Sequence, residues 1–220
     1  MLRGLQAIFP LLLGVVPFGM IYGVLARQSG IPLPAAQAMS FIVFAGSSQF
    51  IAAQLLQQAV PAVVIVLTIF VVNLRHALYS ASVAGYTRHL SPGWKAGLAY
   101  LLTDEAYAVA VLNYQKEGSR GFQHYFFLGA GVTLRAAWQL STAAGILLGA
   151  VIPAAWELDF ALPLTFIALL VPALKDRAGV LAALVGGVAA LLAFSLPYKL
   201  GILAAALAGI AAGLLVEGKR

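Results

Sequence analysis

The sequence predicts an all-α integral membrane protein, a polytopic bundle of about seven to eight transmembrane helices. Its 220 residues are 62% hydrophobic and only 9% charged, whereas about 25% of the residues of an ordinary soluble domain are charged. So few charges cannot cover an aqueous surface. Because a spanning helix needs about 20 apolar residues, the spans take up nearly the whole chain. We therefore predict a single transmembrane domain over residues 1–220.

Hydropathy divides the chain into eight apolar segments, which are separated by charged or Pro- and Gly-containing connections. In order, they are Leu5–Ala26, Ala35–Leu56, Pro61–Tyr86, Lys95–Asn113, Tyr125–Ile152, Phe160–Leu174, Gly179–Leu196 and Lys199–Val216. The first is longer than the core of a signal peptide and lacks a small-x-small cleavage pattern, so we expect it to remain as a helix.

Two of the segments are irregular. The third carries Asn73-Leu74-Arg75-His76 at its middle, so it is either one tilted helix or two short halves. The sixth is short for a span and contains Pro163 and Pro172, which fits a re-entrant or broken element as well as a kinked helix. Some of the predicted segments are therefore expected to be broken or re-entrant.

The distribution of loop cations favours both termini in the cytoplasm, because cytoplasmic loops carry the excess of Lys and Arg. With eight spans, one side carries Arg3, Lys116, Arg120, Lys175, Arg177, Lys219 and Arg220, and the other carries Arg27, Arg88, Lys95 and Lys199. If the sixth segment does not cross, seven spans with the N-terminus outside give the same ratio. The net charge of +6 is spread over these connections, so it predicts contact with membrane lipid headgroups and not with nucleic acid.

Four charged side chains are expected within the membrane. Arg75 and Arg135 lie inside the third and fifth segments, and Asp104 and Glu105 lie at the middle of the fourth. A charge at the bilayer centre costs about 2.5 to 3.5 kcal/mol, so these four must be paired or hydrated. They form either two static ion pairs or a site that binds substrate or protons. We favour the site, because packed apolar residues lock helices together at least as well as buried ion pairs do.

Neighbouring side chains extend this charged group. His76 titrates near neutral pH and is either a proton carrier or a hydrogen-bonded filler, and Asn73 shares its helix face. Arg135 shares a face with Trp138 and Gln139, so it is either part of a pocket wall or an arginine that reaches the membrane interface.

A block of small polar residues lies in the middle of the second segment, where Gly46-Ser47-Ser48-Gln49 stands between Phe44-Ala45 and Phe50. A helix can unwind at such a block and offer free backbone groups, as transporter helices do at their binding sites. The alternative is close contact between helices through small residues. In the first segment, Pro17-Phe18-Gly19 with Tyr22-Gly23 predicts a similar break or only a kink.

From end to end, the sequence resembles the AzlC-type branched-chain amino acid permease family. The resemblance lies in Pro17-Phe18-Gly19 to Tyr22-Gly23, Phe44-Ala45-Gly46-Ser47-Ser48-Gln49-Phe50, Asn73-Leu74-Arg75-His76 to Tyr79, Leu102-Thr103-Asp104-Glu105 and Asp159-Phe160-Ala161-Leu162-Pro163, in that order. It implies a multi-pass inner-membrane exporter of leucine, isoleucine, valine and similar amino acids. It also implies a partner, a small companion membrane protein of the AzlD type.

The residues and the resemblance combine into a hypothesis of secondary active export of small hydrophobic amino acids. The predicted substrate-binding residues are Gly46, Ser47, Ser48, Gln49, Phe50, Asn73 and Arg75. The substrate's carboxylate is placed near Arg75 or the backbone of residues 46–49, and its side chain against Phe50.

The substrate's ammonium is placed near Asp104 or Glu105. Protonation of one of these carboxylates, or of His76, is expected to couple transport to the proton gradient. The residues assigned to proton coupling or ion pairing are His76, Asp104, Glu105 and Arg135. Those assigned to helix breaks or packing are Pro17, Phe18, Gly19, Tyr22 and Pro163.

Other classes of function fit the sequence less well. A channel for small solutes is the first alternative, but no repeated filter sequence supports it. An intramembrane serine protease is disfavoured, because Gly-x-Ser is followed by Gln49 and no glycine completes the motif. A third alternative is a scaffold for a partner membrane protein. The chain has no cysteine and no nucleotide-binding loop, so we expect no enzyme activity, no metal, no cofactor and no use of ATP.

Overall fold

The computed structural model describes residues 1–115, 122–149, 174, 176–196 and 200–217. Over these ranges the chain forms α-helices joined by short connections and no strand, which confirms the all-α prediction. The helices are α1 Leu2–Gln28, α2 Leu33–Ile42, α3 Gly46–Gln57, α4 Ala62–Thr87, α5 Pro92–Tyr100, α6 Asp104–Tyr114, α7 Gln123–Leu148, α8 Arg177–Leu192 and α9 Leu200–Glu217. The sixth predicted segment, with Pro163, lies outside the described residues except for Leu174.

The chain divides into two compact units. The first holds Met1–Gln54 and continues from Val72 in α4 to the end of α7, so it contains all four charges that were predicted within the membrane. The second holds Leu55–Val71, α8 and α9. In the second unit a Cβ on Gly209 of α9 would lie 2.8 Å from Ala182 O of α8, so these two helices pack with no room for a side chain.

The second predicted segment is broken into two short helices. α2 ends at Ile42 and α3 begins at Gly46. Between them Phe44 has a φ of 42°, a left-handed conformation that residues other than glycine rarely adopt. The predicted unwinding beside Gly46 is therefore confirmed.

The fourth predicted segment is also broken, and this break was not predicted. α5 ends at Tyr100 and α6 begins at Asp104. Thr103 Oγ1 accepts a hydrogen bond from Ala106 N at 3.3 Å and so caps the new helix. The prediction that Asp104 lies in the middle of one continuous helix is wrong, because the cap makes it the first residue of α6. The third predicted segment, in contrast, is continuous as α4.

Helices α1 and α7 run side by side in the same direction. A Cβ on Gly129 would lie 2.2 Å from Met1 O, and one on Gly145 would lie 2.0 Å from Met20 O. No side chain fits at either position, so the two backbones are in direct contact, as in close-packed membrane helix pairs. We call the end of this pair near Met1 the N-side of the first unit and the end near Leu148 the C-side.

Helices α5 and α6 form a hairpin that enters the first unit from the N-side and returns to that side. Its mouth is at the N-side, where the ring of Trp94 lies 5.0 Å from that of His124 at the start of α7. Four contacts with α4 and its C-terminal end trace the path: Lys95 with Arg88, Asp104 with Arg75, Tyr107 with Tyr79, and Tyr114 with Tyr86. Along the hairpin, the contacts thus move from the C-terminal end of α4 toward its middle and then back toward that end.

Helices α2 and α3 form a matching hairpin from the C-side. Three contacts with α7 trace it: Ser40 with Thr142, Phe44 with Arg135, and Gln49 with Trp138. Tyr22 of α1 is contacted both before and after the tip, through Ala36 O at 3.1 Å and the Phe50 ring at 5.8 Å. The hairpins have similar arms, of 10 and 12 residues in α2 and α3 and of 9 and 11 in α5 and α6. A long helix followed by a hairpin therefore occurs twice, in opposite directions.

The first unit buries polar side chains among its apolar ones and exposes many large apolar side chains. Ser40, Ser48, Gln49 and Thr142 have no exposed surface, whereas Leu13, Leu78 and Leu140 are 80%, 72% and 72% exposed. This reverses the usual distribution of a soluble protein and suits a lipid environment. Among the described helices, Leu2–Gln28 and Ala62–Thr87 are long and apolar enough to cross a membrane by length and composition.

Candidate functional site

The tips of the two hairpins meet inside the first unit. Tyr100, at the end of α5, donates a hydrogen bond from its hydroxyl to Phe41 O in α2, and its ring lies 6.3 Å from that of Phe44. Helices α3 and α6 both begin at this meeting point. Two helix N-termini, with free N–H groups and partial positive charge, therefore lie close together.

Arg75 of α4 joins the two helix starts. One end of its guanidinium forms an ion pair and hydrogen bond with Asp104 Oδ2 at the start of α6. The other end donates to Ser47 Oγ at the start of α3, over 2.7 Å. Beside this contact, Ser48 Oγ donates to Asn73 Oδ1 over 2.6 Å. The structure thus brings together four of the predicted substrate-binding residues and one of the predicted coupling residues.

This ion pair is half-buried and not saturated. The side chains of Arg75 and Asp104 are 28% and 42% exposed. Within the described part of the chain, Arg75 Nε and Asp104 Oδ1 are buried without a hydrogen-bond partner. Each partner therefore keeps one polar atom whose hydrogen-bonding capacity is not used among the described residues.

Arg135 of α7 lies on the other side of the tips, between aromatic rings and not beside a carboxylate. Its guanidinium carbon lies 4.3 Å from the ring centre of Phe41 and 4.4 Å from that of Tyr100, with Phe44 at 5.3 Å. Its Nη2 donates to Phe41 O over 3.3 Å. Since the described residues form only one salt bridge, Arg75 with Asp104, the alternative of two static ion pairs is wrong for this part of the chain.

The other two predicted coupling residues lie next to the ion pair. Glu105 follows Asp104 in the first turn of α6 and has no salt bridge to a described residue. His76 Nδ1 lies 3.2 Å from Asn73 O, one turn back in α4, and its ring lies 6.0 Å from that of Tyr79. His76 thus has the local hydrogen bond that the filler interpretation expected, while it stays within one turn of the charged pair.

Phe50 lies behind the tip in an aromatic cluster. It has no exposed surface, and its ring stacks on Phe18 at 4.4 Å. Trp138 completes the cluster at 5.8 Å from Phe18, and its Nε1 donates to Gln49 Oε1 over 3.1 Å. A side chain so enclosed is part of the packing that supports the start of α3.

The glycines of the first two segments allow this packing. A Cβ on Gly46 would lie 3.0 Å from the Trp138 ring and 3.1 Å from the Phe18 ring, and one on Gly19 would lie 2.0 Å from Ser141 Oγ. Pro17 lies inside α1, which continues through it, so the alternative of a break in the first segment is wrong.

Sequence reasoning missed a polar seam between α2 and α7. Gln37 Nε2 donates to Gln139 Oε1 over 2.6 Å, Gln139 Nε2 donates to Ser40 O over 2.9 Å, and Ser40 Oγ lies 2.9 Å from Thr142 Oγ1. The signal was the presence of these polar side chains in otherwise apolar segments. Sequence reasoning also missed that Phe41 and Tyr100 lie beside Arg135. These two residues belong to different hairpins and share no spacing pattern.

The described residues include no group of three or more His, Cys, Asp or Glu side chains that could hold a metal ion. The chemistry available at the tips is therefore that of one ion pair, a second carboxylate, an imidazole, hydroxyl and amide groups, and two helix N-termini.

This fold and site define a class of membrane protein in which buried polar groups gather where two helices, α3 and α6, begin inside the bundle. The family model described as AzlC protein matches residues 10–152. This range contains both hairpins and the two arginines at their tips, Arg75 and Arg135. The chain belongs to the AzlC family, as the motifs predicted.

Named relatives agree with the membrane assignment. The chain is 35% identical over 193 residues to an uncharacterized membrane protein of Archaeoglobus fulgidus, covering 86% of this chain and 82% of the relative. It is 27% identical over 201 residues to the inner membrane protein YgaZ of Escherichia coli K12, covering 88% and 82%. An uncharacterized membrane protein of Helicobacter pylori 26695 is 34% identical over 122 residues, 53% of each chain. No solved structure matches.

Proposed function

We propose that this chain is a subunit of a secondary active transporter that exports branched-chain and related hydrophobic amino acids across the cell inner membrane. The observation that supports this most is the meeting of two helix starts, one from each side, at Arg75 and Asp104. Secondary transporters bind their substrates where discontinuous helices present their N-termini inside the membrane. The substrate class comes from the family resemblance, and so does the proposed companion of the AzlD type.

The charges at the tips suit a zwitterion. A carboxylate is attracted by arginine and by helix N-termini, and an ammonium group by Asp104 or Glu105. A zwitterionic substrate finds an opposite charge at the tips for each of its two charged groups, so neither of them is left unpaired inside the membrane. Protonation of Asp104, Glu105 or His76 is the proposed link to the proton gradient, because it changes the charge at the tips.

The hairpins also support a specific multi-pass topology. Arg3, Arg88 and Lys95 lie at the N-side, and Arg27 lies at the C-side beside Gly149. By the excess of cytoplasmic cations, the N-side faces the cytoplasm. In this topology α1, α4 and α7 cross the membrane, and the two hairpins enter it from opposite sides.

Cysteine labelling tests this topology without background, since the chain has no cysteine. Leu33→Cys lies at the start of α2, just after the connection from α1, and Ser91→Cys lies between α4 and α5. We expect a membrane-impermeant maleimide to label Leu33→Cys in intact cells and Ser91→Cys only after permeabilisation, because each hairpin returns to its own side. If the second and fourth segments crossed the membrane instead, both positions would be labelled from the same side.

Transport by reconstituted vesicles tests the function itself. We expect saturable leucine counterflow that is faster with a pH gradient, measured for the chain alone and together with its companion. Flux that does not saturate with leucine would favour a channel. Leucine transport that depended only on the companion's residues would favour a scaffold.

A further inference from the structure

Arg135 of α7, which has no salt bridge to a described residue, supports a further inference about the same site. This inference rests on the function proposed above. We propose that Arg135, and not Arg75, binds the carboxylate of the transported amino acid. Arg135 would then be a specificity-determining residue that requires the free carboxylate of its substrate.

The hydrogen-bonding groups of Arg75 are already engaged. Its Nη1 binds Asp104 and its Nη2 donates to Ser47, so both of its terminal nitrogens already have a partner. A carboxylate prefers two parallel hydrogen bonds from one guanidinium. A carboxylate on Arg75 would therefore compete with Asp104 and Ser47 for the same guanidinium.

The guanidinium of Arg135, in contrast to that of Arg75, has no carboxylate partner among the described residues. Its Nη1 is buried and makes no hydrogen bond within the described residues, and its Nη2 makes one contact of 3.3 Å with Phe41 O. A cation with an empty, buried donor is expensive to maintain in a membrane unless an anion binds it for part of the time.

The rings determine how a ligand reaches this arginine. Phe41 and Tyr100 lie at 4.3 and 4.4 Å from the guanidinium carbon, and rings at such distances bind the faces of a guanidinium by cation–π interaction. A carboxylate must therefore bind in the plane of the guanidinium, in a planar, bidentate bond that includes Nη1, and it reaches this buried atom only when the tips separate. The same rings offer an apolar surface that suits an aliphatic side chain and not a polar one.

Both hairpins contribute to this position. Phe41 and Phe44 belong to the hairpin from the C-side, and Tyr100 belongs to the hairpin from the N-side. A carboxylate bound to Arg135 therefore lies where the two tips touch, within reach of the aromatic groups of both.

Binding of leucine and of leucinamide, which lacks the carboxylate, tests the assignment. The purified full chain is titrated with each compound, and affinity is read by calorimetry or from the change in tryptophan fluorescence. We expect Arg135→Gln to weaken leucine binding on the order of tenfold to a hundredfold, as for the loss of a charged hydrogen-bond partner. Leucinamide binding should not change, so the preference for leucine disappears. Arg27→Gln, which removes the same charge at the C-side end of α1, should keep that preference.

Arg135→Lys keeps the charge but loses the planar edge, and it provides the second variant if Arg135→Gln does not elute as a folded protein. It should also lower the preference for leucine over leucinamide. If a folded Arg135 variant kept the preference for leucine over leucinamide, the assignment of Arg135 would be overturned, but the proposed function would not. If the unaltered protein binds no leucine, the proposed function fails, and the assignment fails with it.

Discussion

Replacing Asp104 by asparagine is expected to reduce leucine counterflow on the order of a hundredfold or more. Arg75 then loses its only carboxylate partner among the described residues, so its charge at the two helix starts is left unpaired. The measurement is counterflow in vesicles with matched amounts of folded protein. Glu105→Gln is the matched comparison, since it removes the neighbouring carboxylate of the same turn without breaking a described salt bridge, and it should retain more counterflow than Asp104→Asn because Arg75 keeps its partner.

A double variant separates a functional pair from a structural lock. In Arg75→Gln with Asp104→Asn no charge is left unpaired, so the yield of folded protein should recover, because replacing a whole buried pair is often close to neutral. Counterflow should stay lost. A double variant that transported leucine normally would show that the pair serves only to hold the helices.

Replacing Phe50 by alanine is expected to lower the free energy of unfolding by about 3 to 5 kcal/mol, the usual effect of removing a buried phenylalanine. The side chain has no exposed surface and stacks on Phe18 at 4.4 Å, so its removal leaves a cavity behind the start of α3. Thermal unfolding in detergent measures the effect. Phe9→Ala is the control, because Phe9 of α1 is 63% exposed and its loss should change stability little.

The same variant bears on the role that the sequence predicted for Phe50. If Phe50 supports α3 from behind, the folded fraction of Phe50→Ala should keep the KM of the unaltered protein for leucine. A raised KM with unchanged thermal stability would instead favour direct contact between Phe50 and the substrate's side chain.

The sequence predicted the members of the site better than their arrangement. Mid-membrane charge identified Arg75 and Asp104, and the small polar block beside Gly46 identified a helix break, because both features are unfavourable in a continuous apolar helix. The reversal of the second and fourth segments could not be predicted in this way. The hydropathy of Lys95–Asn113 is the same whether the chain crosses the membrane or returns at Thr103.

What determines the reversal is local and easily overlooked in a sequence. At one tip it is Phe44 in a left-handed conformation, a residue type that does not suggest a turn. At the other it is Thr103, whose cap restarts the helix at Asp104. The setting of Arg135 was equally hidden, because Phe41 and Tyr100 are 59 residues apart and meet only when both hairpins have formed.

The glycine contacts between α1 and α7 bear on which parts of the protein can move. Along this pair, backbone touches backbone near Met1 and near Met20, so sliding one helix against the other would bring side chains into positions that have no room for them. Helices α1 and α7 are therefore expected to move as one rigid body. The contacts between the tips are of another kind, a few hydrogen bonds and ring contacts centred on two arginines, and they can be exchanged without repacking a helix. Any opening toward one side of the membrane is thus expected to take place by withdrawal of a single hairpin.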